Sequence, residues 1–262
     1  MSTETKPTRE ELVAIDPWMQ LRQVSGARIA LGRAGGSLPT APLLAFQLAH
    51  ARARDAVHLP FDSQAVERRL QEMDYAVLRV RSEAASRPVY LRRPDLGRRL
   101  DAPSREALAG WAEGGGFDAA FVIADGLSPL AVHRHAAAVL DLAAQALARE
   151  GWRLAPVVIA EQARVALGDE IGERLGADLV AILIGERPGL SAADSLGIYL
   201  TYAPRPGRTD AERNCISNVH PEGLGYPEAA ASLVRLMVRA RQCRLTGVAL
   251  KEEAGPAELP ER

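Results

Sequence analysis

Ala119-Ala120-Phe121-Val122-Ile123-Ala124 is an unbroken apolar run, closed by Asp125-Gly126-Leu127-Ser128. A strand with water on one face alternates apolar and polar residues, so a run without polar partners reads as a strand covered on both faces. Asp125-Gly126 turns the chain, Ser128 stands where a helix N-cap would, and a long helix follows to about Arg149. The same pattern repeats outward. Ala155 to Ala160 reads as a buried strand, Gly168 to Leu175 as a helix, Leu179 to Ile184 as a strand and Leu196 to Tyr202 as another. Upstream, Ala76-Val77-Leu78-Arg79-Val80 is strand-like, Val89-Tyr90-Leu91 reads as a segment pairing near it, and residues 104–113 as a helix. Pro227 to Arg244 closes with an amphipathic helix, Ala230, Leu233, Val234, Met237 and Val238 lying on one side. Alternating strands and helices with short connections predict an α/β fold: a Rossmann-like, mostly parallel sheet with helices on both faces.

The first 60 or so residues lie outside that alternation and read as an N-terminal helical extension. A helix is expected over roughly 10–24, with Thr8 as N-cap and Glu10 and Glu11 in its first turn. After the break at Gly32 to Ser37, helices are expected over Thr40 to Arg54 and about 63–73. The organisation is then a disordered tail (1–10), a helical region (11–74), the sheet domain (75–250) and a polar tail (251–262).

A chain of 262 residues that is 47% hydrophobic can bury a large core. No apolar run reaches the roughly 18 residues of a membrane span, and the polar start, Met1-Ser2-Thr3-Glu4-Thr5-Lys6-Pro7, lacks the apolar segment of a secretory signal. No membrane association is expected. A net charge of −1 argues against nucleic-acid binding. Cys215 and Cys243 cannot form a disulfide framework and match no zinc spacing, which suits a reducing cytosol. His50, His58, His133 and His135 also lack metal-ligand spacing, and solvated side chains are expected there.

In open α/β sheets, ligands sit beyond the carboxyl ends of strands. The strongest local signal is therefore Leu183-Ile184-Gly185-Glu186-Arg187-Pro188-Gly189-Leu190, where a charged pair directly follows an apolar strand. Glu186 reads as an acceptor for ligand amide or hydroxyl donors, with a loop-tying salt bridge as the alternative. Arg213-Asn214-Cys215-Ile216-Ser217-Asn218 reads as a polar loop in which Cys215 is a neutral thiol lining a pocket, although Arg213 could favour the thiolate. Glu161, Gln162 and Arg164 cluster at another strand end and are candidates for a ligand or partner contact. Asp125 to Ser128 is either a capped turn or an acceptor-binding helix start. Gly32-Arg33-Ala34-Gly35-Gly36 is no dinucleotide fingerprint, because no strand precedes it and its spacing is not G-x-G-x-x-G.

Read as an ordered series, these pieces are distinctive. Gly32 to Gly35, Tyr90-Leu91-Arg92-Arg93-Pro94-Asp95-Leu96-Gly97-Arg98-Arg99-Leu100, Asp125 to Ser128, Ala163-Arg164-Val165, Asp169 to Glu173, Gly185 to Leu190 and Arg213 to Asn218 together resemble the small subunit (light chain) of ethanolamine ammonia-lyase, over roughly residues 20–245. The resemblance implies a non-autonomous subunit of an adenosylcobalamin-dependent enzyme that converts ethanolamine to acetaldehyde and ammonia by a radical route. It implies a hetero-oligomer in which a separate large TIM-barrel subunit binds ethanolamine. It also implies that Val165, Glu186 and Cys215 contact the cobalamin, with no catalytic and no metal-ligating residue in this chain. No Asp-x-His-x-x-Gly motif occurs, so the cofactor is expected to keep its own dimethylbenzimidazole ligand. The implied location is the cytoplasm, with enclosure in a bacterial microcompartment a property of members with an extended N-terminus.

Two other readings compete. One is an independent Rossmann-type nucleotide-binding enzyme, against which the missing glycine fingerprint counts. The other is a structural adaptor that docks a protein through the arginine-rich loop from Arg92 to Arg99.

Overall fold

The computed structural model describes Ala14, residues 16–111 and residues 116–250. The chain divides into two compact units, Met1–Asp55 with Gly189–Ala193 and Ala56–Pro188 with Asp194–Arg262. In the first, a 3-10 helix spans Pro17–Gln23, and the Asp16 side chain caps it by accepting from the Trp18 N–H at 2.9 Å. The helix expected over 10–24 is thus a shorter 3-10 segment where it is described; Thr8, the two terminal tails and residues 112–115 lie outside the described residues. Helix α1 spans Thr40–His58.

The second unit opens with α2 (Ser63–Gln71), capped by the Asp62 carboxylate on the Ala65 N–H at 2.9 Å. Then come β1 (Val77–Arg81), α3 (Arg87–Arg92), α4 (Ala102–Ala107) and β2 (Phe117–Ala124). The long helix α5 is built of Pro129–Ala131, a π turn over Val132–Ala136 and a regular stretch over Ala137–Arg149. β3 (Val157–Glu161), α6 (Leu167–Leu175), β4 (Ala177–Gly185), β5 (Leu196–Tyr202), β6 (Asn214–Val219) and α7 (Tyr226–Cys243) follow.

The α/β expectation holds, but the sheet is mixed. Its order is β1-β3-β2-β4-β5-β6, with parallel pairing from β1 through β4 and antiparallel pairing of β4 with β5 and of β5 with β6. A parallel return needs a crossover of about a dozen residues or more. No described helix lies between Gly185 and Leu196, so β5 comes back antiparallel. Asn214–Val219, read from sequence as a loop, is the edge strand β6. Val89-Tyr90-Leu91, read as a strand, is helical: Pro88 sits in the first turn, where its missing N–H costs nothing. Tyr90 is fully buried there, and its hydroxyl donates to the Ala163 carbonyl at 3.0 Å.

Alternate residues of each strand feed two cores. Phe121, Ile123, Ile159, Leu183 and Ile198 face α2, α5 and α7. Val122, Val158, Val180, Ile182 and Ile184 face α4 and α6. Helix α6 sits tightly on β4 because its contact residues are glycines. A Cβ at Gly172 would come within 3.1 Å of the Val180 Cβ, and one at Gly168 within 3.5 Å of the Ile182 Cβ.

The histidines of α5 are not solvated. His135 is 3% exposed, with Nδ1 2.7 Å from the Tyr226 hydroxyl and Nε2 3.3 Å from Asp194 Oδ2. His133 stacks on Phe61 at 5.3 Å and accepts the Asp62 N–H at 3.0 Å. Burial lowers the pKa of both rings, so both are neutral near pH 7.

Candidate functional site

The α6 side of the sheet is covered over β4 and open over β6. Ile182 pairs with Tyr199, which pairs with Cys215; residues opposite one another across strands share a face. Tyr199 packs against the α6-side core, so Cys215 projects to that side as well. Glu186 follows Ile182 and Ile184 at the strand's two-residue period and lies on the same face. Val165 packs into the same core just ahead of α6. The glycine contacts set its level: Gly172 meets Val180 and Gly168 meets Ile182, so one further turn back brings Val165 abreast of Ile184. The three positions singled out in the sequence therefore share one side of the sheet, Val165 and Glu186 towards the carboxyl end of β4 and Cys215 one strand beyond Tyr199.

Glu186 is held by Ser195, which the sequence reading did not single out, and by Ser217 and Asn218 of the polar segment around Cys215. The Ser195 hydroxyl donates a short hydrogen bond to Oε2, the Ser217 hydroxyl donates to Oε1 at 2.5 Å, and the Asn218 N–H donates to Oε2 at 3.3 Å. The carboxylate reaches Ser217 by passing over Gly197, where an added Cβ would lie 2.9 Å from Oε1. A β-bulge aims two of the donors. Leu196 pairs with Val219 and Ile198 with Ile216, so Ser217 and Asn218 together oppose Gly197. Asn218 takes a left-handed φ of 62°, which its short polar side chain tolerates. Ser217 and Asn218 are exposed; Ser195 is buried. Asn and Ser around a lone Ile in a six-residue segment was the available signal for this bulged edge.

Cys215 is exposed and hydrogen-bonded to the Tyr199 hydroxyl. Desolvation raises its pKa, the Tyr199 contact opposes the rise and Glu186 adds to it, so the group is a thiol rather than a nucleophilic thiolate. Arg213 does not serve Cys215. Its guanidinium is buried and makes a bidentate pair with Asp169, at 2.6 and 2.8 Å, tying α6 to the start of β6. That pair fixes the spacing between the Val165 end of α6 and the Cys215 strand.

At the other strand ends most polar groups bond within the chain. Asp125 is fully buried and accepts from the Ala163 N–H at 2.9 Å and the Gly126 N–H at 3.0 Å, with Arg87 3.2 Å away. Burial pushes its carboxyl up to about 6 despite those partners. A Cβ at Gly126 would lie 2.3 Å from the Gly185 carbonyl oxygen, so this turn packs directly against the end of β4. Asp125 to Ser128 is thus a capped turn, Ser128 accepting the Ala131 N–H. Glu161 accepts from Ser63 at 2.6 Å, and Arg164 stacks on the Tyr90 ring at 4.3 Å with Arg87 also near it at 4.9 Å. Gly97 lets the arginine-rich loop pack here, its carbonyl taking the Arg164 N–H at 2.8 Å. Among the described residues, no three His, Cys, Asp or Glu side chains are grouped to hold a metal ion, and no helix is long and apolar enough to cross a membrane.

The profile of the family described as ethanolamine ammonia-lyase light chain (EutC) matches residues 15–251. The chain belongs to that family. It is 57% identical over 254 residues to the ethanolamine ammonia-lyase small subunit of Ralstonia nicotianae, covering 96% of this chain and 94% of that one. It is 58% identical to the small subunit of Azotobacter vinelandii, with 93% and 91% covered, and 59% identical to that of Pseudomonas aeruginosa, with 92% and 89% covered. Membership of the ethanolamine ammonia-lyase light chain family supports the subunit reading over the independent nucleotide-binding enzyme.

Proposed function

We propose that this chain is the small subunit of an adenosylcobalamin-dependent ethanolamine ammonia-lyase, acting in the cytoplasm in a hetero-oligomer with a large subunit that binds ethanolamine. Val165, Glu186 and Cys215 are its corrinoid-contacting positions. One observation carries the reading: an apolar residue, a fixed carboxylate with exposed hydroxyl and amide neighbours, and an uncharged thiol lie on one side of the sheet, where α6 leaves β6 uncovered. A corrinoid brings a broad apolar face rimmed by carboxamides, and this surface matches it in kind.

When bound, adenosylcobalamin supplies the radical through homolysis of its cobalt–carbon bond. This chain's task is orientation. Val165 and Tyr199 exclude water from the apolar face, the Glu186 cluster fixes a polar edge, and the Arg213–Asp169 pair holds the two sides at a constant separation. Mixing the chain with a large subunit of the same enzyme and following cobalamin-dependent acetaldehyde release tests the proposal. Activity that requires both chains supports it; full activity from the large subunit alone overturns it.

A further inference from the structure

A serine hydroxyl has one hydrogen to give and two lone pairs to receive with. At Ser217 that hydrogen is already committed to Glu186 Oε1, in a bond of 2.5 Å. This length is typical of a hydroxyl bound to a carboxylate and stronger than a neutral pair. Ser217 is nonetheless exposed, and with its hydrogen committed its oxygen can offer a ligand lone pairs only. The second hydroxyl, Ser195, is spent on the same carboxylate from below. The Asn218 N–H, which could have offered a donor to a ligand, is turned inward by the bulge and also ends on Glu186. All three donors bonded to this carboxylate therefore point into it, and at Ser217 what remains for a ligand is an acceptor backed by negative charge.

We infer that Ser217 is a specificity-determining residue: its hydroxyl is held as an obligate acceptor by Glu186, and it selects ligand edges that carry N–H donors while rejecting carboxylates and phosphates. The inference rests on the corrinoid reading above, where the matching groups are the peripheral carboxamides. Glu186 acts through Ser217 and is a positioning residue in this respect. A carboxylate in place of the amide meets lone pair against lone pair, with the Glu186 charge behind.

The test uses the reconstituted two-subunit complex and equilibrium titration with hydroxocobalamin, followed by absorbance. The second probe is hydroxocobalamin with one peripheral propionamide hydrolysed to the carboxylate, taken as its separated positional isomers. The wild-type complex is expected to bind at least one isomer about ten-fold or more weakly than the intact cofactor. Ser217→Ala should weaken binding of the intact cofactor about ten-fold and erase most of that preference. In Glu186→Gln the amide oxygen takes the Oε2 position, where two donors converge, and its NH2 meets Ser217, whose hydrogen is then free to point outward; the two ligands should come within about three-fold of one another.

Wild-type discrimination that survives in both variants, or its absence for every isomer, overturns the inference. A bulky Cys215→Trp change separates this result from failure of the corrinoid reading. If Cys215→Trp abolishes binding while Ser217→Ala and Glu186→Gln leave it untouched, the site stands and the selectivity role falls. If the complex binds no cobalamin, or Cys215→Trp changes nothing, both fall together.

Discussion

In the parallel part of the sheet formed by β2, β3 and β4, the central residues are sealed on both faces: Phe121 is 1% exposed, and Val122, Ile159 and Leu183 are fully buried. At the antiparallel edge, β6, only one face is sealed. Ile198, Leu200, Ile216 and Val219 close against α7, whereas Cys215, Ser217 and Asn218 stand open on the other side. Hydrogen bonding follows the same division. The parallel half has no side-chain polar groups to satisfy within its core runs, and the antiparallel edge is a cluster of hydroxyl, carboxylate and amide groups around Glu186. A doubly covered sheet supplies a rigid reference, and an edge with one face uncovered supplies the surface that a flat ligand can reach.

The sharpest way to break that contrast is to excavate the sealed half. Phe121→Ala removes a buried ring from the middle of β2 and should cost about 4 kcal/mol, as lost transfer energy plus the cavity left behind. Urea unfolding followed by circular dichroism reads the loss directly. A cost below about 1 kcal/mol would mean that the β2 core is not packed as described.

Next in size is the strut joining the two halves. Arg213 and Asp169 are both nearly inaccessible, so Arg213→Met leaves a buried carboxylate without its partner and should cost about 3 kcal/mol. The Asp169 carboxyl is already raised by desolvation, with Arg213 holding it down; without Arg213 it should rise further. Adding Asp169→Leu to Arg213→Met should recover much of the loss, because an apolar pair has no charge to desolvate. Recovery of stability without recovery of cobalamin binding would assign the pair to spacing the site rather than to holding the fold.

How much of this was legible in the sequence follows the same line. Strands with both faces covered announce themselves as apolar runs: Ala119–Ala124 and Leu179–Ile184 fall in strands, and Ala155–Ala160 is strand from Val157 onward. The antiparallel turn was also written there, since the ten residues from Glu186 to Ser195 are too few for a crossover helix, but alternation elsewhere argued for a parallel sheet. Asn214–Val219 was illegible for a physical reason: a bulge breaks the two-residue period, leaving Ile216 and Val219 three apart on the buried face. Glu186 could be picked out because a charge directly after a buried strand needs a reason. Ser195, Gly197, Tyr199 and Ser217 could not, because only cross-strand register brings them to it.

A smaller effect separates the sealed rim from the open edge by pH. The Asp125 carboxyl is pushed from its ordinary 3.8 up to about 6 by burial. Between those values the folded protein keeps a proton that the unfolded chain has released, so this carboxyl's contribution to stability is greatest below about pH 4 and falls as pH rises towards 6. At about 1.4 kcal/mol per pH unit the full fall is roughly 3 kcal/mol at most. Asp125→Asn should flatten this slope, measured as urea midpoints at pH 4.5 and 7. An unchanged slope would show that another group is responsible.

The least disruptive change to the fold is also the most selective for the site. Gly197 has no left-handed φ, so its backbone accepts alanine without strain. What a Cβ meets is the Glu186 side chain, 2.9 Å from Oε1 and 3.0 Å from Cγ. That side chain can swing away, but only by releasing its bonds to Ser217 and Asn218, each worth about 1 kcal/mol net and exposed enough for water to replace them. Gly197→Ala should therefore leave unfolding stability within about 1 kcal/mol of wild type while weakening cobalamin binding by the two-subunit complex about ten-fold. Phe121→Ala predicts the reverse ordering, a large loss of stability with near-normal binding by whatever fraction remains folded. If the alanine at 197 binds cobalamin normally, the carboxylate's path over that glycine is not what the site requires, and the open edge owes its function to Val165 and Cys215 alone.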